Sequence, residues 1–255
     1  MAAALKIGSL TRIKIDNMRE QVIAKAGAAK PKVAEKLKKY GVIAVAAGEG
    51  MKNLFMDLGV DEVVLGGQTM NPSTQDFLSR MDQIHAENII VLPNNSNIIL
   101  AANQSKELSE KNVVVIPTKT IPQGITALLG FDPESEPDQN LEAMTRSMEQ
   151  VKTGQVTFAV RDTTINGKDI KKDDVIGIYN GEIQCVGSDP AVICEELLES
   201  MVDENSELLS IYYGEDVPED EASVLSEKVE TRYDDLDVEL HYGGQPLYYY
   251  IVSVE

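Results

Sequence analysis

The chain has 255 residues, of which 43% are hydrophobic, so it can build the core of one large or two ordinary domains and is not globally disordered. Its formal net charge of −19 repels phosphate backbones and anionic membrane surfaces, which argues against nucleic acid as a partner, and no apolar run reaches the length of a membrane span, which argues against stable membrane insertion. Aromatic residues make up 5% and Trp is absent, against a stacking platform for bases or sugars.

Residues 9–15 alternate apolar and polar with period two and read as a half-buried strand. Residues 24–39, rich in Ala and Lys, read as a linker ending in a short helix from about Pro31 to Lys39. Four apolar runs follow: 42–46, 62–65, 88–92 and 113–116. Each gap between them has room for a turn and a helix. Continuous β-branched runs alternating with helices predict a parallel sheet covered on both faces. Asn71-Pro72 is expected to cap and open one helix, with Phe77, Leu78 and Met81 on its inner face; Asn95 or Ser96 is expected to cap the next. Residues 133–138 read as a break, and Leu141 to Val151 as an amphipathic connector helix.

A unit of different rhythm comes next. Residues 156–160 read as a strand, 165–168 as a tight turn, and 175–186 as a hairpin around Asn180-Gly181, the pair a type I′ turn prefers. Residues 190–202 read as a helix and 208–213 as a strand. A helix with acids in its first turn opens at Pro218, burying Ala222, Leu225, Val229 and Tyr233. Residues 238–242 and 247–254 read as the last strands. The expected organisation is therefore a tail and linker over 1–40, a parallel α/β domain over 41–135, a connector helix over 136–154 and an α+β domain over 155–255.

Chemistry in an open parallel sheet gathers at the carboxyl ends of its strands. Here those ends carry Gly48-Glu49-Gly50, then Gln68, Thr69, Asn71 and Ser73, then Asn94 and Asn95, then Thr118 and Lys119. These residues are the candidate ligand site, since amides and hydroxyls at helix N-termini can cradle an anion. Each also has a plainer reading, as a helix cap or a partner for buried backbone. No Walker loop, nucleophile elbow, acidic metal cluster or zinc spacing is present, so no catalytic residue and no metal ligand is assigned. His85, placed in a helix, and His241, placed in a strand, read as structural or solvated. Cys185 and Cys194 read as buried reduced thiols. The Met residues fall mostly at helical core spacing. The acidic stretch 215–237 reads as a solvated face able to dock a basic partner. The N-terminus has no signal-peptide pattern, and the expectation is a cytoplasmic protein.

The segments Gly41–Gly50, Gly66–Thr74, Leu92–Ile98, Ile116–Gly124 and Tyr242–Glu255 resemble the C-terminal region of the bacterial fatty acid kinase A protein, a family long labelled dihydroxyacetone-kinase-like. The resemblance covers about residues 9–255 and implies a two-domain DegV-like (EDD) fold, with a parallel-sheet first domain and a mixed α+β second domain. It further implies a parent with a kinase domain that binds ATP and magnesium, a middle domain, and this part, which docks a DegV-type fatty-acid-binding subunit so that the bound fatty acid is phosphorylated in lipid and phospholipid synthesis. The fragment alone is then expected to be catalytically silent and without cofactor. The alternative is a small-anion or fatty-acid-binding domain using the crevice at the strand ends. Locally, Gln68, Thr69 and Ser73 stand where DegV proteins place a hydroxyl-rich loop, Asn94, Asn95 and Ser96 replace a Ser-rich turn, and Lys119 with Gly124 resembles a Ser-Lys…Gly segment. Amides thus replace hydroxyls, and their N–H donors can still hold a carboxylate.

Overall fold

A computed structural model describes residues 37–68, 70–165 and 168–255. Contacts separate residues 1–37 from a second unit, Lys38–Glu255, which carries every element below. The strand expected at 9–15, the linker to residue 36, Thr69 and the Asn166-Gly167 turn lie outside the described residues.

Four strands, β1 (Lys38–Ala46), β2 (Glu62–Leu65), β3 (Ala86–Leu92) and β4 (Asn112–Val115), form an all-parallel sheet in the order β2-β1-β3-β4. The strands are apolar on both faces because both are covered. Ile43, Val45, Ile89 and Val91 pack against α2 (Thr74–Gln83) and α3 (Ile99–Leu108) through the fully buried Phe77, Ile98 and Ala102. Their neighbours Val42, Ala44, Ile90 and Leu92 face the opposite way, onto Met51 and Phe55 of α1 (Glu49–Asp57), Ala127 of α4 (Ile121–Leu129), and Met144 and Met148 of α5 (Pro137–Met148). Period-two side-chain direction sends consecutive residues into two separate cores. Burying a side chain such as Phe77 contributes about 2–3 kcal/mol.

The second sheet is mixed, in the order β11-β10-β12-β5-β8-β9. It is built from β5 (Lys152–Phe158), β8 (Val175–Tyr179), β9 (Glu182–Gly187), β10 (Leu208–Tyr213), β11 (Asp237–Tyr242) and β12 (Tyr248–Val254); β6 (Thr163–Ile165) and β7 (Lys168–Ile170) pair as a separate small ribbon. Only β10 and β11 run parallel. One face packs α6 (Pro190–Met201) and α7 (Glu219–Arg232) through Val156, Leu197, Leu209, Leu225 and Val252. The other face sends Tyr212 and Ile251 into the same cluster as Val42 and Phe55, so one apolar core joins the two sheets. In the hairpin of β8 and β9, Asn180 (φ 53°) and Gly181 (φ 78°) both take the left-handed backbone that a type I′ turn needs.

Several local expectations are corrected. Lys38 and Lys39 are strand, not helix: the Lys38 N–H donates to the His85 carbonyl, and Tyr40 is buried against the edge of the Phe131 ring. α2 starts after Ser73, not at Pro72. Ser73 and Asp76 form a reciprocal capping box: the Asp76 carboxylate accepts the Ser73 N–H at 2.7 Å and the Ser73 hydroxyl accepts the Asp76 N–H. Pro72 is instead buried against Gly66. Neither Asn95 nor Ser96 caps α3, whose first turn follows Ile98; the Asn95 side chain accepts the Asn97 N–H in a local turn. α5 begins at Pro137, inside the supposed break, because Glu136 and Gln139 form a capping box and proline suits the first turn. His85 lies exposed between α2 and β3, and of the methionines at 51, 56, 70, 81, 144, 148 and 201, expected mostly in helical cores, Met56 and Met70 are exposed.

Candidate functional site

The order β2-β1-β3-β4 puts a topological switch between β1 and β3: the chain leaves β1 to one side for β2, then returns to the other side for β3. Loops diverge at such a point and leave an opening at the carboxyl ends of the strands. A crevice of about 700 Å³ lies there. Its first wall comes from the ends of β1, β2, β3 and the start of α4, through Gly48, Gly66-Gly67-Gln68, Pro93–Asn97 and Lys119–Ile121. Its second wall comes from the mixed sheet: Thr153 and Gln155 on β5, Ile178 on β8, Ile251 on β12, and the loop Gln245–Leu247 with Tyr248. The pairings Ile251↔Gln155 and Gln155↔Ile178 set these three side chains in one row across the sheet.

Apart from Thr69, which lies outside the described residues, the candidate residues separate into two groups. Gly48, Gln68, Asn94, Asn95 and Lys119 line the crevice. Glu49, Gly50, Asn71, Ser73 and Thr118 do not. Glu49 is exposed in the first turn of α1 and pairs with Lys52 at 3.2 Å; Ser73 is the helix cap; Asn71 is exposed on the loop before it. Thr118 is fully buried behind the wall, in a polar knot with Asn94. The Asn94 N–H donates to the Thr118 hydroxyl oxygen at 3.0 Å, that hydroxyl donates to Asn94 Oδ1 at 2.8 Å, and Asn94 Nδ2 donates to the Val45 carbonyl at 2.9 Å. These bonds tie the ends of β1, β3 and β4. They also hold Asn94 at φ 55°, a conformation asparagine tolerates better than most residues. Gly124 completes the knot, since a Cβ there would sit 2.2 Å from Asn94 Oδ1.

Gly48 and Gly50 have a structural reason of their own. A Cβ on Gly50 would lie 1.9 Å from the Tyr242 carbonyl oxygen, and one on Gly48 2.4 Å from that of Gly243. The Met51 N–H donates to the Gly243 carbonyl at 2.9 Å. The start of α1 and the loop after β11 therefore touch backbone to backbone, locking one half of the molecule to the other. That loop continues as the crevice's second wall. The Gln245 amide is buried; its Nε2 donates to the Tyr212 carbonyl, while its Oε1 has no partner. Leu247 is held at φ 71°, and its carbonyl accepts the Thr157 hydroxyl at 2.6 Å. Backbone held in this region by surrounding bonds concentrates at binding loops.

The electrostatics of the crevice contrast with the rest of the chain. Among the described lining residues there is no carboxylate and a single cation, Lys119, although the protein carries 42 acidic residues. Eight of the lining side chains are carboxamides. Burial pushes the Tyr248 phenol above its ordinary value, while its hydrogen bond with Gln68, across the crevice, pulls the other way. The Gly48, Gln68, Asn94–Asn95 and Lys119 wall was legible as polar strand ends. Thr153, Gln155, Asn180 and Gln245 were not, because no local signal marks which face of a distant strand turns toward them. Among the described residues, no cluster of His, Cys, Asp and Glu could hold a metal ion, and no helix is long and apolar enough to cross a membrane.

A parallel and a mixed sheet, joined through one core with a crevice between them, define an α/β fold of the DegV type. A DegV family protein from Thermus thermophilus, whose structure is described as showing fatty acid binding, superposes with a TM-score of 0.60 at 13% identity over 85% of this chain and 99% of that one. A Streptococcus pneumoniae fatty acid kinase B3 protein loaded with linoleic acid superposes with a TM-score of 0.55 at 11% identity, over 85% and 99% of the two chains. In sequence, residues 41–255 match the FakA-like C-terminal family, the C-terminal part of proteins like fatty acid kinase A, and the chain belongs to that family. Protein YloV of Bacillus subtilis is 45% identical over 97% of this chain; that match spans 46% of YloV, so the chain covers about half the length of such curated relatives.

Proposed function

We propose that this chain is the non-catalytic C-terminal module of a fatty acid kinase, docking a DegV-type fatty-acid-binding subunit so that the bound fatty acid meets a kinase domain elsewhere in the parent protein. ATP and magnesium belong to that kinase domain, reached through a middle domain, and the assembly works in the cytoplasm. The observation that carries this reading is the family match over residues 41–255 on a fold shared with fatty-acid-binding DegV proteins. The site's chemistry agrees with it: amides, hydroxyls and one lysine can bind and orient but form no acid–base or nucleophile pair. The module's contribution is then positioning, which can supply a large part of a phosphoryl-transfer rate enhancement. The test is calorimetric titration of the chain with the purified DegV-type subunit, with gel filtration in parallel. A stoichiometric complex is expected; absence of both heat and complex overturns the reading.

A second reading rests on the crevice itself, large enough for a small ligand and free of carboxylates. In it the chain holds a small anion or a fatty acid near Gln68, Asn94, Asn95 and Lys119. Organic extraction of the purified chain followed by mass spectrometry tests it; an empty extract, with no heat on titrating oleate or phosphate, ends it.

A further inference from the structure

We infer that the crevice is a recognition groove for protein backbone, taking an unpaired, uncharged or basic segment of the docked partner through its set of carboxamides. The inference rests on the docking reading above and assigns it a surface. A carboxamide offers donor N–H groups and an acceptor oxygen, the same pair that each peptide unit presents. Eight such side chains line the crevice from both sheets; Asn94 is spent in its knot with Thr118 and Val45, Asn95, Gln123 and Gln245 each have one atom bonded within the chain, Gln68 meets Tyr248, and Asn97, Gln155 and Asn180 stand open. A helix or paired strand keeps its N–H and C=O groups for itself, so only an unpaired stretch can use them.

The other occupants fit less well. An acyl chain would cover the open carboxamides of Asn97, Gln155 and Asn180 without satisfying them, and a buried polar group left unpartnered is costly. A lone anion would use Lys119 and two or three donors, leaving most of the opposite wall idle. Charge selects the segment. The groove itself is free of carboxylates, but it sits in a protein of net charge −19, so an acidic segment is repelled over distance while a neutral or basic one is not. At the rim, Leu65 is 52% and Met70 62% exposed, apolar side chains that a protein surface would cover.

The test uses the whole chain and the DegV-type partner. Affinity is measured for wild type, for Gln155→Leu and for Gln68→Leu/Asn97→Leu, each first checked for an unchanged melting temperature. A loss of tenfold or more is expected in both variants, together with slowed amide exchange over residues 66–68, 94–97 and 245–248 in the wild-type complex. Wild-type affinity in both variants, with exchange over those residues unaltered, overturns the groove while leaving docking intact. Failure of even the wild-type chain to bind the partner defeats the docking reading and the groove together. Oleate that binds the chain and expels the partner overturns the inference too, making the acyl chain the occupant. If a variant melts early, Ser96→Glu replaces it: an added carboxylate at the mouth must then weaken binding more at low than at high salt.

Discussion

The two sheets bury their residues by different rules. Both faces of the parallel sheet are covered, so β1 from Val42 to Ala46 and β3 from Ile89 to Leu92 are continuous apolar runs, buried throughout. The mixed sheet packs α6 and α7 on one face, while its other face is divided between the shared core, reached by Tyr212 and Ile251, and the crevice. On β5, Gly154 and Val156 point to α6 and its core, while Thr153 and Gln155 between them line the crevice. The first sheet is scaffold throughout and offers only its strand ends; the second gives up part of a face to the site.

The largest test of that contrast is in the cores. Phe77→Ala empties a fully buried position under the parallel sheet and should cost about 3–5 kcal/mol; Leu197→Ala, under the mixed sheet, should cost about 2–5 kcal/mol. Because Tyr212 and Ile251 share a core with Val42 and Phe55, either loss should lower one common unfolding transition in urea. Two separate transitions, one for each sheet, would break the picture of a joined core.

Next comes the lock between the halves. Gly50→Ala drives a Cβ into the Tyr242 carbonyl and should cost about 3 kcal/mol, since neither backbone has room to yield. Gly59→Ala is the comparison: Gly59 has φ 89° but nothing within 4 Å, so only the backbone conformation is penalised, by about 1 kcal/mol. Equal losses in the two variants, measured by urea denaturation, would show that contact between the halves is not what Gly50 serves. Asn94→Ala, at the polar knot, should cost about 2 kcal/mol by taking the acceptor from the Thr118 hydroxyl proton and the Nδ2 donor from the Val45 carbonyl. A change below half of that would mean the knot is replaced by water.

How much of this was legible follows from the same contrast. The parallel strands announce themselves as apolar runs, and Asn180-Gly181 announces its hairpin, because both signals are local. Asn94 stood out as a polar residue at a strand end, yet whether it binds a ligand or ties strands together depends on Thr118 and Gly124, which lie 24 and 30 residues further on. Glu49 stood at a strand end between two glycines; the glycines answer to backbone almost 200 residues away, at the end of β11 and just after it. The second wall of the crevice was silent in the sequence for the same reason. Gln155 alternates with Val156 in any half-buried strand, and nothing nearby says that its polar face meets another domain rather than water.

The smallest prediction tests a boundary that the sequence did encode. Ser-Thr-Gln-Asp over 73–76 carries the capping-box spacing, although Asn71-Pro72 just before it is the louder signal. Ser73→Ala removes the side-chain acceptor for the Asp76 N–H and should cost about 1 kcal/mol at pH 7. The Ser73 hydroxyl, then its N–H, hold the Asp76 carboxyl below the ordinary carboxylate range. A carboxyl depressed in the folded state adds stability above its unfolded value and loses it as pH falls through the folded value. Removing the hydroxyl raises the folded value toward the unfolded one, so less of that stability is present to lose. The gap in stability between wild type and Ser73→Ala, read by urea denaturation, should therefore be full at pH 7 and narrow as pH drops below 4. The Asn71→Ala variant, which touches no cap, should show neither the loss nor the pH dependence; if it does and Ser73→Ala does not, the helix begins where the proline suggested.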